Sequence, residues 1–311
     1  MSSLLPEALD AALRDVPARR HIQSFVVAHE GEVQLERYFR DRRATDLSNV
    51  HSVTKSVLAT LAGLAIRNGS LAFETRLDEL FDERLFRGDE QKRRISIEHL
   101  LTMTAGLDAG TPHDIDEIAD RGDSWIAGPL AAPLLAEPGT RFSYNNGAAH
   151  VLGVAIARAT ETPLVRFAEE QLFKPLGASD YRWPTDPDGN VLGYGHLELR
   201  PRDLLRLGLL YLDAGRWNGL QLLPESFIAA ATTPHSAGGP PEGTSYGYLW
   251  WITEDGGLRS FFAGGYGGQY VTVIPELALV VASTGDVDVF TETSRNLRRL
   301  VSEIVIPTLA S

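Results

Sequence analysis

Between residues 246 and 283 the chain runs through four strand-like segments in succession, YGYLWWIT, LRSFFA, QYVTVI and ALVVAS. Turns at Asp255-Gly256-Gly257 and Pro275-Glu276 separate them. Connections that short leave no room for a crossover, so consecutive strands are antiparallel neighbours. A second hairpin lies far upstream. SFVVAHEGEVQLERYF, residues 24–39, sets an apolar run against an alternating one across Glu30-Gly31. Its apolar face needs cover, and joining the C-terminal strands is the simplest way to obtain it. Everything between the two hairpins must then leave one sheet and return to it.

Most of that intervening chain has helical period. Residues 5–19 read as an amphipathic helix ahead of the first hairpin, and a second helix runs from about Ser52 to a stop at Asn68-Gly69. SIEHLLTM is a short helix ended by Gly106, and residues 107–140 are rich in loops. GAAHVLGVAIARAT and PLVRFAEEQLF are helices, the latter closed by Pro175 and Gly177. Helices over 201–213 and 224–231 lead into a Gly/Pro loop at 237–243, and a last helix covers 287–306. The expected architecture is α/β of the α+β type: an antiparallel sheet flanked by N- and C-terminal helices, with an all-helical region inserted. Residues 1–94 with 195–311 form the sheet region and 95–194 the helical one, and the active site is expected between them.

Bulk properties remove several classes of function. A net charge of −12 without a clustered basic face argues against nucleic acid and anionic membrane surfaces. The absence of cysteine removes thiolate zinc sites and cysteine nucleophiles. No histidine shows metal-ligand spacing, so neither a metal nor a cofactor is expected, and the partner is a small molecule. The first twenty residues carry acids where a secretion signal carries bases, and no run is long enough to span a bilayer. A soluble, cytoplasmic protein is expected; the oligomeric state stays open.

The sharpest local anomaly is NVHSVTKSVLATLAGLAIRNG, residues 49–69, which places Lys55 in an otherwise apolar helix. The chain has only two other lysines, Lys92 and Lys174, and writes its remaining cations as arginine. Ser52 and Lys55 are three apart and share a helix face. A serine hydroxyl needs a neighbouring base to act as a nucleophile. Arginine does not lose its proton in proteins, whereas a desolvated lysine does. Bringing a lysine to poise at neutral pH requires a shift of roughly 3 units, about 4–5 kcal/mol. The alternative is a helix N-terminus capped by Ser52 with Lys55 reaching outward. Nineteen serines and three lysines in 311 residues give about 0.2 Ser-x-x-Lys matches by chance.

Two further motifs follow in order. EPGTRFSYNNGAAHVLG holds the chain's one Tyr-x-Asn, Tyr144-Asn145-Asn146, in a loop before a helix. A phenol relays a proton between a serine hydroxyl and a leaving group if a nearby cation lowers its pKa. Asn146 offers an amide for Lys55 or for a substrate carbonyl; the alternative is a polar turn capping the helix at 147. FFAGGYGGQYVTVIP then brings four glycines beside a strand. No helix follows, which rules out a phosphate cradle. A strand edge stripped of side chains can offer a backbone N–H to a developing oxyanion; the alternative is a bulge or tight hairpin.

In this order, Ser52-Val53-Thr54-Lys55, Tyr144-Asn145-Asn146 and Ala263-Gly264-Gly265 before YGGQYV resemble the three motifs of the serine β-lactamase and penicillin-binding-protein superfamily. The resemblance is closest to its class C β-lactamase-like branch of esterases, amide hydrolases and D-amino-acid peptidases. ISIEHLLTMTAGL, PLVRFAEEQLFKPLG and RPRDLLRLGLLYLDAGRWNGLQLLPESF support it, over roughly residues 20–308. It implies Ser52 as the acylated nucleophile, Lys55 as the amine that activates it and Tyr144 as a second proton-transfer group. It also implies an oxyanion hole from the backbone N–H groups of Ser52 and Tyr266, with Asn146 and Gly265 at the substrate. The third motif departs from the Lys-Thr-Gly or His-Thr-Gly of the superfamily, because Ala263-Gly264-Gly265 lacks both cation and hydroxyl. Those groups would grip a substrate carboxylate, so the expected substrates are small neutral esters or amides, cleaved through an acyl-enzyme. A β-lactamase, D-amino-acid peptidase or acyltransferase of the same superfamily is the alternative, and a non-catalytic binding protein on the same fold is a third reading.

Other features carry less. GTSYG, residues 243–247, matches a nucleophile elbow, but a Gly/Pro loop precedes Ser245 and a strand follows it, the reverse of what the elbow needs. His51 and His196 are candidates for the pocket wall, or else hydrogen-bonded structural residues, and Tyr194 and Tyr266 are candidates too. HDIDEIADRGD, residues 113–123, reads as a solvated acidic loop. Trp250 and Trp251 point to opposite faces of a strand, one toward the core and one toward the cleft.

Overall fold

A computed structural model describes residues 5–14, 21–111, 113–287 and 297–310. The upstream hairpin forms as β1 (Ile22–His29) and β2 (Glu32–Tyr38). Glu30 and Gly31 both take positive φ in the two-residue turn between them. The C-terminal strands are β3 (Ser236–Gly239), β4 (Thr244–Tyr246), β5 (Trp251–Asp255), β6 (Leu258–Gly265), β7 (Gln269–Ile274) and β8 (Leu279–Gly285). They join one antiparallel sheet in the order β2-β1-β8-β7-β6-β5-β4-β3. β1 docks on β8 with Val26 opposite Ala282, so the two hairpins share an edge as the sequence requires.

Adjacent residues on a strand point to opposite faces, and β6 uses this to build three layers. Phe261 packs toward Tyr211, with ring centroids 6.3 Å apart, on helix Pro201–Leu212. Phe262 turns the other way, under the Arg298 guanidinium at 4.5 Å. Each ring buried this way contributes roughly 1.5–3 kcal/mol. Trp250 is fully buried beside Tyr211, while Trp251 lies on the other side with Phe262. The helix over Pro201–Leu212 approaches the sheet closely at Gly208, where a β-carbon would come within 2.5 Å of a Val280 methyl.

The helix that carries Lys55, α2, spans Val53–Arg67 and follows α1 (Leu5–Arg14). Every residue from Val53 to Ala65 is buried. A helix apolar on all sides belongs between layers, and α2 lies between the sheet and α3 (Asn146–Ala159). Its interior polar groups are paired: the Ser56 hydroxyl donates to Leu249 O at 2.7 Å and the Thr60 hydroxyl to Ser56 O at 2.8 Å. Asn68 and Gly69 end it, with Gly69 at φ +79°.

The structure departs from the sequence expectations in several places. The short helix stops at Leu101 rather than at Gly106, because Met103 turns the chain at φ +56°. The acidic stretch 113–123 contains a helix, Ile115–Asp120, capped by the Asp114 carboxylate and anchored by buried Ile115 and Ile118. Alternating acids hid two apolar residues at helical spacing. The Gly/Pro stretch at 237–243 carries part of β3 and the turn into β4, two sheet strands that its composition concealed. Helical structure near the C-terminus runs from Val301 to Ala310, while residues 288–296 of the expected helix and 15–19 of the first lie outside the described residues.

Candidate active site

Ser52 sits at the N-terminus of α2 but does not cap it: its side chain makes no capping hydrogen bond. Instead, its Oγ lies 2.9 Å from Lys55 Nζ. The turn before it is set by His51, a non-glycine residue at φ +47°, whose N–H donates to the Asn49 side chain at 2.9 Å. Successive N–H bonds from Val53, Thr54 and Lys55 to Val50, His51 and Ser52 tighten this first turn and aim the serine outward.

Lys55 is 1 % exposed. Its Nζ donates to Tyr194 O at 2.6 Å and lies 4.8 Å from the centre of the Tyr144 ring. Burial penalises the ammonium and brings the pKa down to about 7, against a smaller opposing pull from Asp116. At neutral pH an uncharged fraction is therefore available. With a proton committed to Tyr194 O, the lone pair of the neutral amine is free to face Ser52 Oγ.

Tyr144 lies in the loop before α3. Ser143 N–H donates to Met103 O at 2.8 Å, and Asn145 both caps α3 through Ala148 N–H at 2.9 Å and donates to Leu107 O at 3.2 Å. The cap is thus the middle residue of the Tyr-x-Asn motif. The Tyr144 hydroxyl is hydrogen-bonded to Ser52, but its pKa does not fall as the sequence reading required. Burial pushes it up, the Ser52 bond opposes this, and the Glu242 charge adds to the rise. The phenol stays protonated at neutral pH and has a proton to donate, while the Lys55 amine is the group able to accept one. Its ring stacks on Trp251, with centroids 5.7 Å apart at 19°.

A cavity of about 280 Å³ opens over Ser52, walled by Tyr144, Glu242, Trp251, Gly265 and Tyr266 among others. Gly265 closes one side. A β-carbon there would sit 2.4 Å from Val50 O and 3.2 Å from Ser52 N, so only glycine lets β6 run this close to the Ser52 backbone. Tyr266 is half exposed at the rim, with its ring edge-on to His51 at 5.9 Å. His196 does not line the cavity. It lies behind His51, ring centroids 6.0 Å apart, with its Nδ1 3.3 Å from the Asn49 side chain. Burial, then His196 and Lys55, hold His51 down to about 4, which leaves it neutral. Asn146 is likewise outside the cavity wall, and its Oδ1 is buried with no partner among the described residues. Ser245 is inside β4, paired across to Ile252.

Three features escaped the sequence reading. Asp116 receives the Tyr194 hydroxyl at 3.2 Å and bears on Lys55. His150 and Asp186 form a wholly buried pair at 3.0 Å under the 190–194 segment. Glu242 enters the cavity from the β3–β4 turn. No residue spacing linked these positions to the motifs.

A buried lysine against a serine, with a phenol opposite and a bare strand edge alongside, on a helix-flanked antiparallel sheet, defines the β-lactamase/transpeptidase class of fold. The β-lactamase family profile matches residues 9–302, and the chain belongs to that family. It is similar to the esterase EstB of Burkholderia gladioli, 31% identical over 205 residues, covering 58% of this chain and 51% of EstB. The chain spans about half the length of the curated relatives it matches. Among solved structures it resembles a putative 6-aminohexanoate-dimer hydrolase from Bacillus anthracis, with a TM-score of 0.79 at 22% identity, over 96% of this chain and 80% of that one. It also resembles EstCE1, described as a hydrolase with promiscuous acyltransferase activity, with a TM-score of 0.74 at 18% identity, over 91% and 94%. At such identities the two structures show the fold alone.

Proposed function

We propose that the protein is a serine hydrolase that cleaves small esters or amides through an acyl-enzyme, in a cleft between residues 1–94 with 195–311 and residues 95–194. The observation that carries this reading is the desolvated Lys55 amine 2.9 Å from Ser52 Oγ. Neutral Lys55 takes the Ser52 proton as Oγ attacks the carbonyl carbon. The backbone N–H groups of Ser52 and Tyr266 hold the resulting oxyanion, since Gly265 brings β6 beside the nucleophile. Collapse breaks the bond to the leaving group, which receives a proton from the Tyr144 hydroxyl, and the Lys55 ammonium, beside the Tyr144 ring, returns its proton to the phenolate and becomes neutral again. Water then repeats the attack on the acyl carbon and frees the acid. The similarity to an esterase supports the same chemistry.

Ser52→Ala is the test. Turnover of p-nitrophenyl butyrate by the wild type, lost by at least about 10³-fold in the variant, is expected. Comparable turnover in both would place the nucleophile elsewhere.

A further inference from the structure

A short antiparallel ladder ends beside Ser52. Ser48 pairs with Leu199 and Asn49 with Glu198, and Val50 N–H donates to Leu197 O at 2.8 Å. Such a residue pair ordinarily exchanges a second bond, from Leu197 N–H back to Val50 O. Here Val50 O accepts instead from Val53 N–H at 3.1 Å as α2 begins. Leu197 N–H goes to Thr54 Oγ1 at 3.3 Å, and the same hydroxyl donates to His51 O at 2.6 Å. Thr54 is fully buried, so its hydroxyl bridges two backbone segments away from bulk water. Past the ladder both segments turn through a non-glycine residue at positive φ, His51 at +47° and His196 at +64°. One turn leads to Ser52. The other leads back to Tyr194, whose carbonyl accepts from Lys55 Nζ at 2.6 Å.

We infer that Thr54 is a positioning residue: its hydroxyl clamps residues 194–197 to the first turn of α2, and so holds the Tyr194 carbonyl, Lys55 and Ser52 in register. The inference rests on the hydrolase reading above. Thr54 is not part of the cavity wall and acts through the groups that it joins. The turns on either side give the clamp something to hold, since left-handed backbone is disfavoured for a histidine and persists where surrounding bonds over-determine it. Valine has the outline of threonine without its donor or acceptor, so Thr54→Val would leave the buried Leu197 N–H without this partner. Thr54→Ser keeps a hydroxyl in reach of both.

Fluorophosphonate labelling of Ser52 and turnover of p-nitrophenyl butyrate are measured side by side in wild type, Thr54→Val and Thr54→Ser. Thr54→Val is expected to lower the second-order labelling rate and kcat each by at least about tenfold, with KM within about threefold of wild type. Thr54→Ser is expected to stay within about threefold of wild type in both rates. A Thr54→Val protein that labels and turns over as fast as wild type, whatever its Tm, would overturn the clamp and leave the hydrolase reading standing. So would a folded Thr54→Ser protein as impaired as Thr54→Val. If Thr54→Val does not fold, Thr54→Cys, whose thiol is a weak donor and acceptor, replaces it under the same expectations. Wild-type protein that neither takes up the label nor turns over the ester would overturn the hydrolase reading, and the clamp with it.

Discussion

Two buried nitrogen bases lie on either side of the same short segment and are treated in opposite ways. Lys55 donates to the carbonyl of Tyr194; His150 accepts, at Nδ1, the N–H of Gly193 at 3.3 Å. His150 Nε2 faces a carboxylate directly, Asp186 at 3.0 Å, and Asp186 is held in turn by the Asn190 side chain at 2.9 Å and Asn190 N–H at 2.8 Å. Burial lowers the His150 pKa and the Asp186 contact opposes this, leaving a neutral ring with both nitrogens occupied. Among the described residues no carboxylate hydrogen-bonds Lys55; Asp116 acts on it only through space. Burial against a carboxylate fixes the imidazole, whereas burial against only neutral partners lowers the pKa of the amine. The His150 pair thus secures the segment from which the Lys55 site is hung.

That contrast can be broken, most severely at the lysine. Lys55→Arg keeps a positive charge but removes the proton acceptor, and kcat/KM on p-nitrophenyl butyrate is expected to fall by about 10²–10⁴-fold. In the wild type the same parameter should rise with pH through about 7, as Lys55 loses its proton. A rate independent of pH between 5 and 9, on the order of the pH range in which Lys55 titrates, would contradict a lysine base.

His150→Phe should cost about 3 kcal/mol of stability by chemical denaturation, because it leaves the buried Asp186 carboxylate without its imidazole, on Asn190 alone. If the pair also positions Lys55, the pH limb should move in this variant. A fallen Tm with an unmoved limb would confine His150 to a structural role.

Lys55→Met predicts a change of opposite sign. The folded lysine pKa is about 7 against an ordinary value of 10.5. The unfolded chain therefore binds more protons between those values, so wild-type stability increases as pH rises through that window. Below it the buried ammonium is a full penalty. Replacing the amine with a thioether removes that penalty but loses two hydrogen bonds, for a net gain of about 1–3 kcal/mol at pH 7. A destabilised Lys55→Met would mean that the ammonium is better solvated than its burial implies.

The smallest effect is expected at Asp116. Its charge raises the Lys55 pKa against the stronger effect of burial. Asp116→Asn should therefore move the pH limb to lower values with little change in the plateau rate. A limb that moves upward would show that Asp116 acts through Tyr194 rather than through its charge.

Local chemistry made part of this legible. Short turns with Gly256-Gly257 and Glu30-Gly31 dictated antiparallel pairs, and the lone apolar-helix lysine three residues from a serine specified a base beside a hydroxyl. Tyr144 was found by its motif, but its protonation state was not, because that depends on burial in the fold and on Ser52 and Glu242, each more than ninety residues away in sequence. The acidic run around Asp116 read as solvent-facing because charge dominated its composition, and Ile115 and Ile118 found their burial only against the rest of the fold.

The sequence by itself therefore determined the kind of sheet, the buried helix and the order of the three motifs, since each depends on neighbours within a few residues. The tertiary structure alone decided how far the Lys55 pKa falls, how close β6 comes to the Ser52 backbone, and which rings wall the cavity. Those are properties of desolvation and of distance through space, and the distances join residues that the chain keeps far apart.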